Sequence, residues 1–430
     1  MPAIGPGTLI VGCDATNEQR PEIKNEASRY DRILTVSITI FCQAFQVIIL
    51  GGLGLFLPTI RADLGFSYTQ AGVLFSLATL TYALMQIPAG FLVDRYGPRK
   101  LFFIGSLTTN LLVFAFGWAT AFWMLLPIQA VTGIFRALVF VPGLTLVVTW
   151  FPPDRRATAM GIYTVGGFLG TAMLSLAGPA LVETYSWRAP FLLFSSIGVV
   201  ASLAYLVLSK ERPSTDNRKP INVKEMLALF RYRVMWLAGG IQYVRLAVVS
   251  GLRFWIPSYL ADEHDVSLPV IGIVIAVSGI LTASANFFGG YISDRLKNPP
   301  LVIGGALLVL AIAIAMLAMA DNLVILVLLV LVTALFQQLY FGPLFAAPVE
   351  ILGIRNAGLT IGFTNMFANV GALTFGYGIG TLKDITGGFS AGFYTLAGCC
   401  LIGLVLTALL ARERIAARTN EHQEDDSSPM

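Results

Sequence analysis

Twelve long apolar runs dominate this sequence and limit what it can fold into. They cover 33–58, 70–93, 101–121, 122–148, 158–181, 189–208, 234–260, 268–292, 301–320, 323–347, 357–381 and 390–410. Each is about the 20 residues that a helix needs to cross a bilayer core, or longer. In lipid, only helices and closed barrels satisfy every backbone hydrogen-bonding group, and the alternating segments of a barrel are missing. The runs therefore predict an all-α membrane protein with twelve transmembrane helices.

The composition agrees with a chain that faces lipid. Only 12% of the residues are charged and the mean hydropathy is +0.76, whereas soluble domains carry about 25% charged residues. The four cysteines, Cys13, Cys42, Cys399 and Cys400, show no metal-ligand spacing. We expect neither a metal site nor a cofactor, and no binding of nucleic acid.

The distribution of Lys and Arg predicts the orientation in the membrane. Of the 28 basic residues, 22 fall on the side that holds both tails, while the other side receives only Arg61, Arg188 and Lys383. Basic residues accumulate on the cytoplasmic side of membrane proteins. The asymmetry predicts a multi-pass protein of the cell (inner) membrane with both termini in the cytoplasm.

One polar interior segment divides the runs into two sets of six. The predicted organisation is a cytoplasmic tail over 1–32, a six-helix half over 33–208, a central cytoplasmic loop over 209–233, a second six-helix half over 234–410 and a cytoplasmic tail over 411–430. Two equivalent halves are typical of transporters that rock around a site near the bilayer midplane.

Short motifs repeat between the halves. The second run of each half ends in Gly-aromatic-aliphatic-x-Asp-Arg, at Gly90–Arg95 and again at Gly290–Arg295. The segments after the fourth and tenth runs, WFPPDRRATAMG and PVEILGIRNAGLTIG, each place an acidic and a basic residue before a glycine. The repeat supports two related halves in one pseudo-symmetric bundle.

The first copy resembles the signature loop of the major facilitator superfamily, Gly-x-x-x-Asp-Arg-x-Gly with basic residues after it. The matching residues are Gly90, Asp94, Arg95, Gly97, Arg99 and Lys100, and the second copy keeps Gly290, Asp294 and Arg295. The resemblance covers about 33–410 and implies a secondary transporter that works by alternating access.

The resemblance also implies that the signature loop is a latch that favours the outward-facing state. Gly90 permits a close helix approach, and Asp94 can pair with Arg99 or with a neighbouring helix N-terminus. The alternative is that these charges only set the topology, although topology does not require the matching Asp of the second copy.

Three arginines lie within apolar runs, but no Asp or Glu lies deep in any run. Arg136 and Arg245 are near the midplane, one in each half, while Arg253 is near an outer end, where its side chain can extend to water. A charge inside the bilayer costs ~3 kcal/mol or more. We predict that the cargo supplies the missing partner as a small anion held by Arg136 and Arg245, since guanidinium binds carboxylates through two parallel bonds. Alternatively, each arginine is a structural tie to backbone carbonyls or glutamines.

Further polar residues recur at helical spacing beside these arginines, where they either line a cavity or tie helices together. They are Gln129, Gln242, Gln43, Gln46, Gln337, Tyr340, Asn365 and Asn369. We include all of them in the predicted substrate site.

Several stretches resemble the anion:cation symporter and organophosphate antiporter-like branches of the superfamily. They are SWRAPF (186–191), FWIPSYL (254–260) and DITGGF (384–389), besides WFPPDRRATAMG. This resemblance implies transport of a small anion, and we expect an organic acid carried by a monomer. No run contains a His or a carboxylate that could carry a proton. We therefore expect transport to be driven by anion exchange, by a proton carried on the substrate, or by a proton on a terminal acid such as Asp94 or Glu350.

Other functions fit less well. A drug exporter of the same fold is the alternative, but cationic drugs need a buried acid. A membrane-embedded enzyme needs a nucleophile and base or a metal constellation within the spans, so we predict that the chain is not an enzyme. A sensor built on the same scaffold stays open.

Overall fold

A computed structural model describes residues 19–151, 156–210, 231–344 and 357–426. Helices account for nearly all of this part of the chain, and no strand occurs in it. The helices are α1 Gln19–Phe45, α2 Ile48–Leu55, α3 Leu57–Leu64, α4 Tyr68–Tyr96, α5 Pro98–Gly117, α6 Phe122–Thr149, α7 Arg156–Thr184, α8 Arg188–Leu208, α9 Arg233–His264, α10 Leu268–Leu296, α11 Pro299–Leu317, α12 Leu323–Leu339, α13 Ala357–Thr386 and α14 Ser390–Asp426. Glu350, most of the predicted central loop (211–230) and parts of the two predicted tails (1–18 and 427–430) lie outside the described residues.

The helices reproduce the predicted spans. Eleven helices of the described chain are long and apolar enough to cross a membrane, the first of them being α1 continued into α2. α13, with 30 residues, covers the eleventh predicted run. The apolar pattern therefore predicted the helices correctly, although helix ends differ. α9 continues to His264, and α14 continues past the apolar run to Asp426.

Local sequence explains where α4 begins and ends. The Ser67 hydroxyl accepts a hydrogen bond from the Gln70 backbone, and the Gln70 side chain accepts one from the Ser67 backbone, which is a capping box. At the other end, Gly97 has φ 82°, a conformation that favours glycine, and Pro98 starts α5 directly after it. The turn at Gly97 therefore holds the signature loop between two rigid helices.

The helices form two bundles that contact each other mainly through α4 with α13 and α7 with α10. Glycines make these contacts close. A Cβ on Gly380 would lie 2.4 Å from the Tyr68 carbonyl oxygen, and one on Gly72 would lie 2.8 Å from the Gly376 carbonyl oxygen. A Cβ on Gly272 would overlap the Ser175 carbonyl. We call this end, at the start of α4 and the end of α13, the sealed end.

Polar contacts reinforce the sealed end across the two halves. Asp384 accepts hydrogen bonds from the Thr69 backbone at 2.7 Å and the Thr69 hydroxyl at 2.6 Å, so it caps the start of α4 from the other half. The Tyr68 hydroxyl donates to Asp262 at 2.7 Å. Asp384, the first residue of DITGGF, thus stabilises a helix that begins more than 300 positions earlier in the chain.

The three basic residues on the side with few cations all form ion pairs at the sealed end. Arg188 lies 2.8 Å from Asp63, Lys383 lies 2.5 Å from Glu263, and Arg61 lies 4.0 Å from Asp262. The indole N–H of Trp187 and the Arg188 guanidinium hold the pKa of Asp63 below its usual value. Each of these three cations therefore has an acidic partner on the same side.

The opposite end, which carries the signature loops, is open. A Cβ on Gly90, Gly161 or Gly290 would meet nothing within 4 Å. The close helix approach expected at Gly90 is therefore absent in this conformation. We call it the signature-loop end.

The sealed end provides a test of the packing. We expect Gly380→Ala to lower the free energy of unfolding by about 1–3 kcal/mol, because the added methyl meets the Tyr68 backbone and the Trp255 ring. Gly378→Ala, two residues away on the same helix and facing open space, should be neutral or stabilising. Thermal unfolding of the purified protein in detergent would measure both. Equal midpoints for the two variants would contradict the assigned seal.

Candidate functional site

A cavity with two lobes lies between the halves. The first lobe has a volume of about 240 Å³ and is lined by α2, α4, α6 and α7 from one half and α9, α10 and α13 from the other. The second lobe has a volume of about 260 Å³ and reaches α12. The lobes share five lining residues, which are Val47, Thr171, Val249, Arg253 and Ile275. Ligand sites of transporters occupy this position between the halves.

Arg136 lines the first lobe from α6. Its guanidinium carbon lies 5.2 Å from the centre of the Tyr82 ring, which is a cation–π contact. The buried Nε atom has no hydrogen-bond partner in the described part of the chain. The structure therefore leaves Arg136 with unused donor capacity beside an open volume, as a ligand-binding group requires.

Arg253 also lines the cavity, which corrects the expectation that its side chain extends outward. It borders both lobes, and its Nη2 donates to the Thr171 hydroxyl of the other half at 3.0 Å. The outward direction is blocked because α9 continues for eleven residues beyond Arg253, or roughly 16 Å. The next residues are packed, since Trp255 is buried and donates to the Gly376 carbonyl at 3.2 Å.

Arg245 is buried behind the second lobe and is not one of its lining residues. Its Nε donates to the Gln242 side-chain carbonyl at 2.8 Å, and its Nη1 donates to that of Gln338 at 3.2 Å. The guanidinium carbon lies 4.8 Å from the Phe341 ring centre. Neutral dipoles and a ring face therefore surround this charge, and Arg245 reaches the cavity only through Gln338, which lines the second lobe.

Three of the predicted polar residues line the cavity. Gln43 lines the second lobe and accepts a hydrogen bond from the Tyr163 hydroxyl at 2.6 Å. Gln337 lines the same lobe and contacts the Thr282 hydroxyl at 3.4 Å. Asn369 lines the first lobe and donates to the Asn365 carbonyl at 2.9 Å. These side chains give the cavity neutral hydrogen-bonding groups beside the arginines.

The other predicted residues do not line either lobe. Gln129, Gln46 and Tyr340 are buried, and each has a side-chain polar atom without a hydrogen-bond partner in the described chain. Asn365 contributes its backbone carbonyl to Asn369. Helical spacing placed these residues near the right depth, but a rotation of 100° per residue decides whether a side chain faces the cavity or its own half.

Sequence reasoning also missed residues that the cavity uses. Gln338 lines the second lobe and binds Arg245, whereas spacing favoured its neighbour Gln337. Thr171 holds Arg253 across the halves. The Gln-Gln pair was a visible signal, but a single threonine in an apolar helix gives none.

The signature loop binds its own half in this conformation. Arg99 donates to the Ser209 hydroxyl at 3.0 Å and to the Leu206 carbonyl at 2.7 Å, so it caps the end of α8. The Asp94–Arg99 pair that we considered is therefore not formed. Asp94 is exposed and makes no ion pair with a described residue.

The remaining signature residues make local contacts. The Arg95 guanidinium lies 5.4 Å from the Tyr96 ring centre, and Arg295 donates to the Tyr291 hydroxyl at 3.5 Å. The side chain of Asp294 lies outside the described residues. The latch role of both copies thus stays a prediction.

The charge of the cavity is positive. Arg136 and Arg253 line it and Arg245 lies behind it, whereas no Asp or Glu of the described chain lines either lobe. A cleft lined by one sign of charge with apolar walls concentrates ions of the opposite sign. The arrangement can bind an anion between the two halves.

A family model described as Major Facilitator Superfamily matches residues 37–376 and 247–429. Among solved structures, a bacterial homolog of the human lysosomal transporter Spinster, in an inward-facing and unoccupied conformation, matches with a TM-score of 0.72. That match is 19% identical and covers 90% of this chain and 97% of the other. It shows that the two chains share a fold.

Relatives of similar length are named as transporters of sugar acids and related acids. The D-galactonate transporter of Escherichia coli O6:H1 is 25% identical, over 82% of this chain and 89% of the relative. The hexuronate transporter of Bacillus subtilis is 26% identical, over 82% and 87%. A putative tartrate transporter of Agrobacterium vitis is 27% identical, over 85% and 87%.

The neutral hydrogen-bond acceptors of Arg245, which are the Gln242 and Gln338 side chains, provide a second test. We expect Gln338→Leu to lower the free energy of unfolding by about 1–3 kcal/mol, because a buried guanidinium loses an acceptor. Gln338→Glu should keep or raise stability, since it restores the acceptor with a countercharge. The control is Gln337→Leu, whose amide makes only a long contact with Thr282. Thermal unfolding would measure the loss of stability in each variant. If Gln338→Leu loses no more stability than Gln337→Leu, the hydrogen bond from Arg245 to Gln338 contributes little.

Proposed function

The chain belongs to the major facilitator superfamily, and from that premise we propose that it is a secondary transporter of a small organic anion. The cargo binds in the cavity between the halves and crosses the membrane by alternating access. The relatives named for galactonate, hexuronate and tartrate support an organic acid as the cargo class. One chain is sufficient, because both halves that form the cavity come from it.

The unpaired guanidinium of Arg136 is the observation that carries this proposal. A cation within the membrane costs ~3 kcal/mol or more unless it is compensated, and the described lining of the cavity contains no carboxylate. A cargo carboxylate compensates the charge and can take two parallel N–H···O bonds from the guanidinium. A cationic drug would meet repulsion in the same place, which disfavours the exporter alternative.

Alternating access follows from the asymmetry between the two ends. We infer that the anion enters from the signature-loop end in this conformation, because α4 packs closely against α13 at the sealed end. Rocking of the halves around the bound anion closes the signature-loop end, where Asp94 is then in reach of the second half, and separates the sealed end. The movement is driven either by exchange with a second anion or by a proton that travels on the substrate.

The signature-loop end is assigned to the cytoplasm. The basic asymmetry supports this orientation, and the three exceptions at the sealed end are each neutralised by an ion pair. With this orientation the structure is the inward-facing state, and both termini are cytoplasmic.

The anion site is tested by Arg136→Gln. We expect transport and binding of the organic acid to fall at least tenfold, because a charge-assisted hydrogen bond contributes about 1.5–3 kcal/mol. The variant should still reach the membrane and unfold cooperatively. The control is Lys210→Gln, which removes the same charge from an exposed ion pair with Asp31 and should transport normally. Normal uptake by Arg136→Gln in proteoliposomes would refute the assignment.

The orientation is tested by cysteine labelling in a background without native cysteines. We expect Tyr185→Cys, at the exposed turn between α7 and α8, to react with a membrane-impermeant maleimide in intact cells. Lys100→Cys, exposed in the signature loop, should react only after permeabilisation, because the basic side of the protein faces the cytoplasm. The reverse pattern would invert the assigned topology.

A further inference from the structure

Two arginines from opposite halves line the same lobe of the cavity. Arg136 extends from α6 of the first half, and Arg253 extends from α9 of the second. Both border the same volume of about 240 Å³. Two like charges at one small site are unfavourable without a counter-ion. The pair of arginines therefore indicates the charge of the ligand better than either arginine does alone.

The contacts of the two arginines leave both of them available. Arg253 donates one hydrogen bond to the neutral Thr171 hydroxyl, and Arg136 has a ring face and an unpaired Nε. A guanidinium has five N–H donors, so neither group is saturated, and neither is paired with a carboxylate among the described residues. An incoming anion therefore does not have to break an ion pair at either position.

The charge of the lobe matches a ligand with two negative groups. A monoanion leaves one of the two guanidinium groups uncompensated, whereas a dianion neutralises both. The lining of the same lobe includes Ser250, Asn369 and Thr171, whose polar side chains suit a hydroxylated ligand. Hydrogen bonds to ionised groups are about twice as strong as neutral ones. A second carboxylate on the ligand therefore contributes more to binding than its hydroxyl groups do.

We propose that the first lobe selects hydroxylated dicarboxylates over the corresponding monocarboxylates, with one carboxylate on Arg136 and the other on Arg253. This inference rests on the proposed function, and it adds Arg253 as the residue that determines charge specificity. Because the two arginines belong to different halves, a dicarboxylate also links the halves at the centre of the cavity. A monocarboxylate binds one half alone.

The test uses matched pairs of acids that differ at one terminal group. Galactarate and galactonate share a six-carbon hydroxylated chain, and tartrate and threonate share a four-carbon chain; in each pair only the first has a second carboxylate. At about pH 7 all of these carboxyl groups are ionised. Binding of the four acids to the purified full-length protein is measured by calorimetry and by the shift in melting temperature.

We expect the unsubstituted protein to bind the diacid of at least one pair about tenfold or more tightly than its monoacid, as for one additional charged hydrogen-bonding pair. Arg253→Gln should bring the two affinities to within about threefold by weakening the diacid alone. Arg253→Lys, which keeps the charge, should retain part of the preference. The melting temperature without ligand reports whether each variant is folded.

Different results separate this inference from the proposed function. Equal affinities within both pairs for the unsubstituted protein, or tighter monoacid binding, would overturn the dicarboxylate preference and leave an organic-anion transporter. An Arg253→Gln variant that weakens diacid and monoacid by the same factor would overturn the assigned role of Arg253. If none of the four acids binds, the proposed function fails with the inference.

Discussion

Charge in a medium that cannot solvate it is the constraint on which the rest of this structure depends. Where the protein itself provides the compensation, the groups are fixed. Arg245 has two glutamine carbonyls and a ring face, and the sealed end has its ion pairs. Where the protein provides only a ring face, at Arg136, the charge faces a cavity. The cavity is therefore the place where a molecule from outside the chain can complete the electrostatics.

The two ends of the bundle show how such a site can be reached from one side at a time. At the sealed end, glycines allow backbone to pack on backbone, and Asp384 caps a helix of the opposite half. These contacts are numerous but individually modest, and most of their polar atoms are accessible to water. A seal of this kind can separate without leaving buried charges unpaired, which suits an interface that must open and close.

Much of this arrangement could be predicted from the sequence, and the failures have specific causes. Each of the twelve apolar runs coincides with helix, and eleven of the described helices qualify as membrane spans. The depth of Arg136 placed it correctly at the cavity. Arg253 was misplaced because its distance from the end of an apolar run was taken as its distance from water, while α9 continues to His264. Gln129 and Tyr340 were at suitable depths but are buried and line neither lobe, since depth along a helix does not specify rotation about its axis.

The sequence by itself determined the membrane environment, the apolar segments that become helix, their grouping around one polar interior segment and the excess of cations over acids within them. These properties follow from composition and periodicity, because lipid imposes the same requirements on every segment. Only the tertiary structure decided which arginines share a cavity, that neutral amides hold Arg245, and which end is closed. Those features depend on how helices from distant parts of the chain are rotated and packed against one another. A local sequence pattern does not specify these relative orientations.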